Sequence, residues 1–323
     1  MIRSVPRQVG PLVVLGDALL DVDLLGEVHR QCPDAPAAPV LDFLAQRHRP
    51  GGAGLAALLA AADGVPVRLV TALADDQDAE LLRGLLQPHV ELVTGEARGS
   101  TVVKCRLRAD GRTLARVDRG SGRAAPATPV LAEAMDGAGA VLVADYGRGL
   151  AADPLLRRRL TQLAAQVPVV WDPHPRGGPP ARGCALATPN LAEARRAAGV
   201  LDPARAAARL RVRWGVLGVA VTLGADGALL HSGALRPGAA QSRLVPAPPV
   251  AAGDPCGAGD RFAVSAALAL RAGRSPLAAV RVAVREASCF VAAVGGDEAH
   301  EWQAVPAHRL PLTTDGCARR RQA

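Results

Sequence analysis

Short apolar runs alternate along this chain with longer helical segments, and that alternation admits few folds. Pro11–Leu15, Val67–Ala72, Val141–Ala144, Val167–Asp172, Val216–Thr222 and Ala228–His231 read as strands. Gly54–Ala62, Asp78–Leu86, Pro154–Gln166, Asn190–Ala198, Gly257–Ala272 and Pro276–Val294 read as helices, with Gly273 a fitting terminator. Strands separated by helices pair in parallel and are covered on both faces, so the pattern predicts an α/β fold with a mostly parallel central sheet. Only 2% of the 323 residues are aromatic, so its core must be Ala, Leu and Val. One segment breaks the rhythm. Thr101–Arg108 and Arg112–Asp118 flank Asp110-Gly111, a strong hairpin signal. In its first strand Val103, Cys105 and Leu107 share one face, and Val102, Lys104, Arg106 and Arg108 the other. Asp23–Val28 and Val40–Gln46 also read as strands, which suggests a small antiparallel sheet set apart from the main one. Its basic face is suited to covering an anionic ligand or, alternatively, is solvated.

Of the 38 basic residues only Lys104 is lysine, and that excludes several enzyme classes. A Walker A loop needs Gly-Lys-Ser/Thr, and Lys104 follows Val103, so no P-loop can be built. A protein kinase is excluded by the lack of any His-Arg-Asp loop. The net charge of +8 favours anionic partners, but the arginines are scattered and stacking aromatics are few, so nucleic acid is not expected. The six cysteines form no Cys-x-x-Cys, which argues against structural zinc and a disulfide framework and fits a reduced cytoplasmic setting. The run Leu12–Leu15 is too short for a signal peptide, and the apolar stretch 55–74 is broken by Asp63 and Arg68, so no membrane partner is expected.

The strongest chemical signal is Asp254-Pro255-Cys256-Gly257-Ala258-Gly259-Asp260, leading directly into an apolar helix. Successive backbone N–H groups at a helix N-terminus make an anion site, and glycine lets an oxygen-rich group approach closely. Asp260 alone would also be an ordinary first-turn acid facing the helix dipole. The arrangement suits phosphoryl transfer, which needs positioning and charge stabilisation more than covalent help. The amides of Gly257, Ala258 and Gly259 would hold the transferring group, and Asp260 would accept the proton of the attacking hydroxyl.

These residues resemble the C-terminal signature of ribokinase-like (PfkB-type) carbohydrate kinases, and further motifs follow in that family's order across about residues 12–296. Gly16-Asp17 with Asp21 is similar to its opening motif, and Pro50-Gly51-Gly52 to its di-glycine signature. Asn190-Leu191-Ala192-Glu193 matches its NxxE motif, and Thr222-Leu223-Gly224 with Gly227 its nucleotide-contacting turn. Within the family the chain most resembles the kinase domain of bacterial heptose 7-phosphate kinases. Pro33-Asp34-Ala35-Pro36, the strand 101–106 with Lys104, Asp145-Tyr146-Gly147-Arg148-Gly149, and Asp172-Pro173 with Thr188-Pro189-Asn190 carry that likeness.

The resemblance implies a ribokinase-like three-layer sandwich over residues 1–310, a β lid from about 18–48 and 97–119, and a disordered tail over 311–323. It implies ATP-dependent phosphorylation of the anomeric hydroxyl of a heptose 7-phosphate. The remaining alternatives are another sugar or nucleoside kinase, and a non-catalytic nucleotide- or sugar-phosphate-binding member. Asp17, Asp21, Gly51, Gly52, Lys104, Arg106, Asp118, Asp145 and Arg148 are the implied sugar-phosphate contacts. Thr222, Gly224 and Gly227 would meet ATP, Asn190 and Glu193 would tune Mg2+ through water, and Asp254 would help hold K+. A homodimer through the lid is implied. A nucleotidyltransferase domain, which some of these kinases carry, is not expected, since no His-x-Gly-His is present. The pattern departs at Leu55, where the family has an asparagine, and at Cys256, Arg148 and Arg261. Arg261 would pair with a phosphate or point to solvent.

Overall fold

The computed structural model describes residues 10–233, 241–250 and 253–294. The tail and everything after Val294 lie outside the described residues. The strands are β1 (Leu12–Gly16), β2 (Ala18–Cys32), β3 (Ala35–Gly52), β4 (Val67–Leu73), β5 (Glu91–Arg98), β6 (Val103–Ala109) and β7 (Arg112–Arg119). They continue with β8 (Arg123–Ala124), β9 (Ala140–Ala144), β10 (Val169–Asp172), β11 (Leu186–Ala187), β12 (Gly218–Thr222), β13 (Ala228–Ser232) and β14 (Gln241–Val245). The helices are α1 (Ala53–Ala62), α2 (Gln77–Leu86), α3 (Pro129–Glu133), α4 (Pro154–Leu163), α5 (Leu191–Ala198), α6 (Pro203–Trp214), α7 (Ala258–Arg271) and α8 (Pro276–Val294).

Ten strands form one sheet in the order β14-β13-β12-β11-β10-β9-β1-β4-β5-β8. Pairing is parallel from β12 through to β5 and antiparallel at both edges. Strand alternation divides the core in two. Leu12 and Val14 of β1 face a cluster built with α1, α2, α7 and α8. Val13 and Leu15 face the other, built with α3, α4, α5 and α6. That is the three-layer sandwich the alternating pattern and the family resemblance implied. The chain runs from β1 to β4 and β5 on one side, then returns to β9 on the other. The crevice beyond β1 and β9 is therefore a switch point, where α/β sheets hold ligands.

The second sheet has the order β3-β2-β6-β7. Its two hairpins are antiparallel, and β2 joins β6 in parallel. The hairpin signal at Asp110-Gly111 is realised with φ of 50° and 72°, the left-handed pair that a two-residue type I′ turn requires. The lid differs from expectation at its edges. Residues 97 and 98 belong to β5 of the main sheet, where they pair with β8. β2 and β3 are much longer than 23–28 and 40–46, and together they make one long ribbon.

Candidate active site

Register decides which lid side chains look inward. Asp21 pairs with Lys104, and Asp23 with Arg106, across β2 and β6. Arg49 and Arg47 of β3 flank the same two acids on the other side. Asp21 and Asp23 thus form an acidic line between two basic strands, all on one face. Asp21 is buried and accepts from Arg106 Nη1 at 3.2 Å. Arg108 lies 3.9 Å from Asp23 and 3.6 Å from Asp254. The opposite face, with Leu20, Val22 and Val103 buried and Cys105 packed against them, makes a small apolar core. So Lys104, Arg106 and Arg108 share the face predicted for them, and that face is not solvated surface.

The main sheet supplies the floor. Gly51 and Gly52 end the lid ribbon where it enters α1. A Cβ on Gly51 would lie 2.6 Å from Asp21 Oδ2, and Gly52 has φ +59° with Asp17 O 2.5 Å from its would-be Cβ. Glycine is needed at both positions for the backbone to pass under these acids. Asp17, just past β1, accepts from Tyr146 N at 3.1 Å and Arg148 N at 2.9 Å. Its pKa is raised, mainly by burial, despite those bonds. Asp145 accepts from Gly147 N at 2.8 Å and lies against Gly177, so it braces the turn that carries Tyr146 and Arg148. Burial lifts its pKa to about 6.

Asp260 stands in the first turn of α7, buried. Tyr146 O–H donates to its Oδ1 at 2.7 Å. Burial lifts the Asp260 pKa to about 6; the Tyr146 bond and the Lys104 charge oppose that shift, and Asp21 adds to it. Lys104 Nζ lies 4.9 Å from the Tyr146 ring centroid, and His174 stacks on that ring at 6.1 Å. His174 is held neutral, its pKa pushed down to about 4 by burial and by Arg176, Lys104 and Arg148. Sequence reasoning missed the Tyr146 hydroxyl, although its place after β9 was a signal.

The helix start is partly as expected. Gly257 is left-handed at φ 89°, and its would-be Cβ lies 3.1 Å from Leu55 Cδ2 and 3.3 Å from Phe290 Cζ. The apolar Leu55 therefore packs under the anion loop. Ala258 N donates to Pro255 O at 3.0 Å, so its amide closes the turn instead of facing a phosphoryl group, which corrects the expectation for Ala258. Gly257 opens α7 in a left-handed conformation, and a Cβ at Gly259 would meet nothing within 4 Å. Asp254 accepts from Cys256 N at 2.9 Å and pairs with Arg108. A K+ ion at Asp254 would share this carboxylate with the Arg108 guanidinium. Cys256 Sγ accepts from Arg106 Nη2 at 3.2 Å, and burial raises its pKa. Arg261 takes neither expected role: it is buried and paired with Asp63 at 2.8 Å and Glu286 at 3.4 Å.

The motifs at 190–193 and 222–227 come together at the start of α5 and the end of β12. Asn190 caps α5 in a capping box with Glu193. Asn190 also bridges Thr222 at the end of β12, next to the turn with Gly224 and Gly227. The pKa of nearby Asp172 is raised well above normal by burial, then by Asp260, with Glu193 and Asp145 adding. Glu193 is likewise raised by burial. Like charge links Asp172 to Glu193 and to Asp260, but among the described residues no three acidic, histidine or cysteine side chains are grouped to ligate a metal ion directly, so Mg2+ would be met by Asn190 and Glu193 through water. Asp172 was missed as a site residue, although it ends a central strand. Asp118, expected to meet substrate, is exposed and paired with Arg116 at 2.8 Å. Arg148 has its pKa lowered, first by burial and then by Arg176, with Arg123 adding a further like charge.

A model of the pfkB family carbohydrate kinases matches residues 11–303. The chain belongs to the pfkB carbohydrate kinase family. The Streptomyces coelicolor bifunctional protein HldE is 48% identical over 293 residues, 88% of this chain and 61% of the relative. The Azorhizobium caulinodans bifunctional protein HldE is 33% identical over 89% of this chain and 62% of its own. The chain thus spans about three fifths of these relatives. Arabidopsis thaliana ribokinase, solved with ribose and ATP, superposes with TM-score 0.65 at 22% identity, covering 87% of this chain and 92% of that one. Escherichia coli phosphofructokinase-2 superposes with TM-score 0.64 at 19% identity, covering 89% and 96%. The solved structures share its ribokinase-like fold. Among the described residues no helix is long and apolar enough to cross a membrane.

Proposed function

We propose that this pfkB kinase transfers the γ-phosphoryl group of ATP to the anomeric hydroxyl of a heptose 7-phosphate, giving the 1,7-bisphosphate for nucleotide-heptose synthesis. The observation that carries the reading is the charge at the two ends of the acceptor site. At one end Asp260 and Lys104 meet at Tyr146. At the other, Arg148 lies beside Asp17, its charge disfavoured by Arg176 and Arg123. A dianionic group on the sugar, remote from the reacting hydroxyl, would relieve that repulsion. The likeness to the two HldE proteins supports the same acceptor.

In this reading Asp260 takes the proton of the acceptor hydroxyl as its oxygen bonds to the γ-phosphorus. The amides of Gly257 and Gly259 hold the transferring oxygens, and Lys104 neutralises developing charge. Glu193 and Asn190 would hold Mg2+ through water, and the ion would supply neutralisation of the phosphate oxygens. A cytoplasmic site of action and a homodimer through the lid belong to the same proposal.

The test is ADP release from Mg-ATP, with and without potassium, across an acceptor panel. It includes D-glycero-D-manno-heptose 7-phosphate, its dephosphorylated form, sedoheptulose 7-phosphate, fructose 6-phosphate, ribose and adenosine. Turnover confined to the aldoheptose 7-phosphate is expected, and the potassium arm reads whether Asp254 helps hold a monovalent cation. Equal turnover of the dephosphorylated heptose, or preference for ribose or adenosine, would move the enzyme to another sugar or nucleoside kinase activity.

A further inference from the structure

Tyr146 is the single tyrosine of the chain, and it joins the separate parts of the acceptor site. Its hydroxyl donates to Asp260, its ring carries Lys104 and His174 on its faces, and its N–H donates to Asp17. A phenylalanine would fill the same space in the apolar cluster the ring packs against. The hydroxyl adds one thing a phenylalanine lacks, a donor to Asp260. Asp260 needs one. It is buried, with the acids Asp21 and Asp172 near it, and Lys104 is the cation that acts on it. His174 adds no positive charge, being neutral.

We infer that Tyr146 is the positioning residue for both the base and the sole lysine. Its hydroxyl occupies one oxygen of Asp260 and leaves the other for the acceptor hydroxyl, while its ring face holds the Lys104 ammonium beside the same carboxylate. During transfer the acceptor oxygen bonds to the γ-phosphorus as the bond to the bridging oxygen of ADP breaks. The acceptor proton moves to Asp260, and Tyr146 keeps its own proton throughout. The inference rests on Asp260 being the base.

Two measurements test it. The first is the pH profile of kcat/KM for the acceptor in the wild type, Tyr146→Phe and Tyr146→Leu. Removing the hydroxyl takes a donor from the charged form of Asp260, so the acid limb of Tyr146→Phe moves to higher pH. Its kcat at neutral pH falls roughly ten- to a hundredfold, the scale of a hydrogen bond to a charged group, with the KM for ATP held within about twofold. Tyr146→Leu, which also loses the ring under Lys104, falls further. A wild-type acid limb and kcat in Tyr146→Phe overturn the inference. Asp260→Asn separates this from the underlying assignment: retained turnover in that variant removes the base itself, and this proposal with it. The second measurement needs no acceptor and no turnover. Tyrosine labelled with 13C at the hydroxyl-bearing carbon gives one resonance in this chain. Asp260→Asn must shift it, and so must Lys104→Met, which removes the ammonium from the ring face. Unchanged spectra in both variants overturn the inference.

Discussion

Asp260 shows what burying a carboxylate costs. Its pKa stands at about 6 against an ordinary 3.8, so the native state binds a proton more readily than the unfolded chain does. A raised acid therefore disfavours folding where it is ionised. Stability falls as pH climbs from about 4 through 6, and the full cost, about 3 kcal/mol at roughly 1.4 kcal/mol per unit, is felt above that window. Asp260→Asn is expected to abolish turnover yet raise stability at pH 8 relative to pH 5, read by urea unfolding at both pH values. In the wild type kcat/KM should fall about tenfold per unit below pH 6, as the base takes up its proton. Arg261 is the opposite case, a residue whose work is structural. It is buried between Asp63 and Glu286, and burial raises the Asp63 pKa despite the Arg261 charge. Arg261→Met strands the buried Asp63 carboxylate, while Glu286 keeps Arg285 at 3.0 Å, and is expected to cost about 3 kcal/mol in unfolding free energy, with activity per folded molecule retained. Sequence placed Arg261 beside Asp260 but could not say where it pointed: Asp63 lies at the end of α1 and Glu286 within α8, far away along the chain.

Elements that repeat a simple period were legible, and those that do not were misjudged. The apolar periods of α1, α7 and α8 gave bounds within a residue or two of those observed. β2 and β3 were read far too short because the register between them shifts at Leu25/Gly26, Glu27/Arg30 and Gln31/Cys32, and each shift breaks the alternation that marks a strand. Pro36, Pro39 and Pro50 in β3 reinforce the misreading, since proline argues against a strand interior. β11 has only two residues and carries no period at all. The start of α7 gives a prediction at this scale. Gly257→Ala must hold a left-handed φ and press a methyl against Leu55 and Phe290. The backbone term alone is about 1–2 kcal/mol, so the anion loop should distort and kcat fall at least tenfold, with far-ultraviolet circular dichroism unchanged.

At the scale of the whole molecule, the lid leaves apolar side chains in water. Phe43 and Leu44 of β3 are 62% and 63% exposed, and Val117 of β7 is 54% exposed. A second copy is the proposed cover, and sedimentation velocity should show a dimer that Phe43→Ser with Leu44→Ser converts to monomer. A monomeric wild type at micromolar concentration would refute it. Sequence by itself determined the layered α/β class, the hairpin at Asp110-Gly111, the glycine-rich start of α7 and the order of the family motifs, because each depends on local period or on residues adjacent in the chain. Tertiary structure alone decided who meets whom. Tyr146 reaches Asp260, Arg106 reaches Asp21 and Cys256, and Arg108 reaches Asp254. Those pairings join β6, α7 and the turn after β9. They arise from strand order and register, which no single stretch of the chain contains.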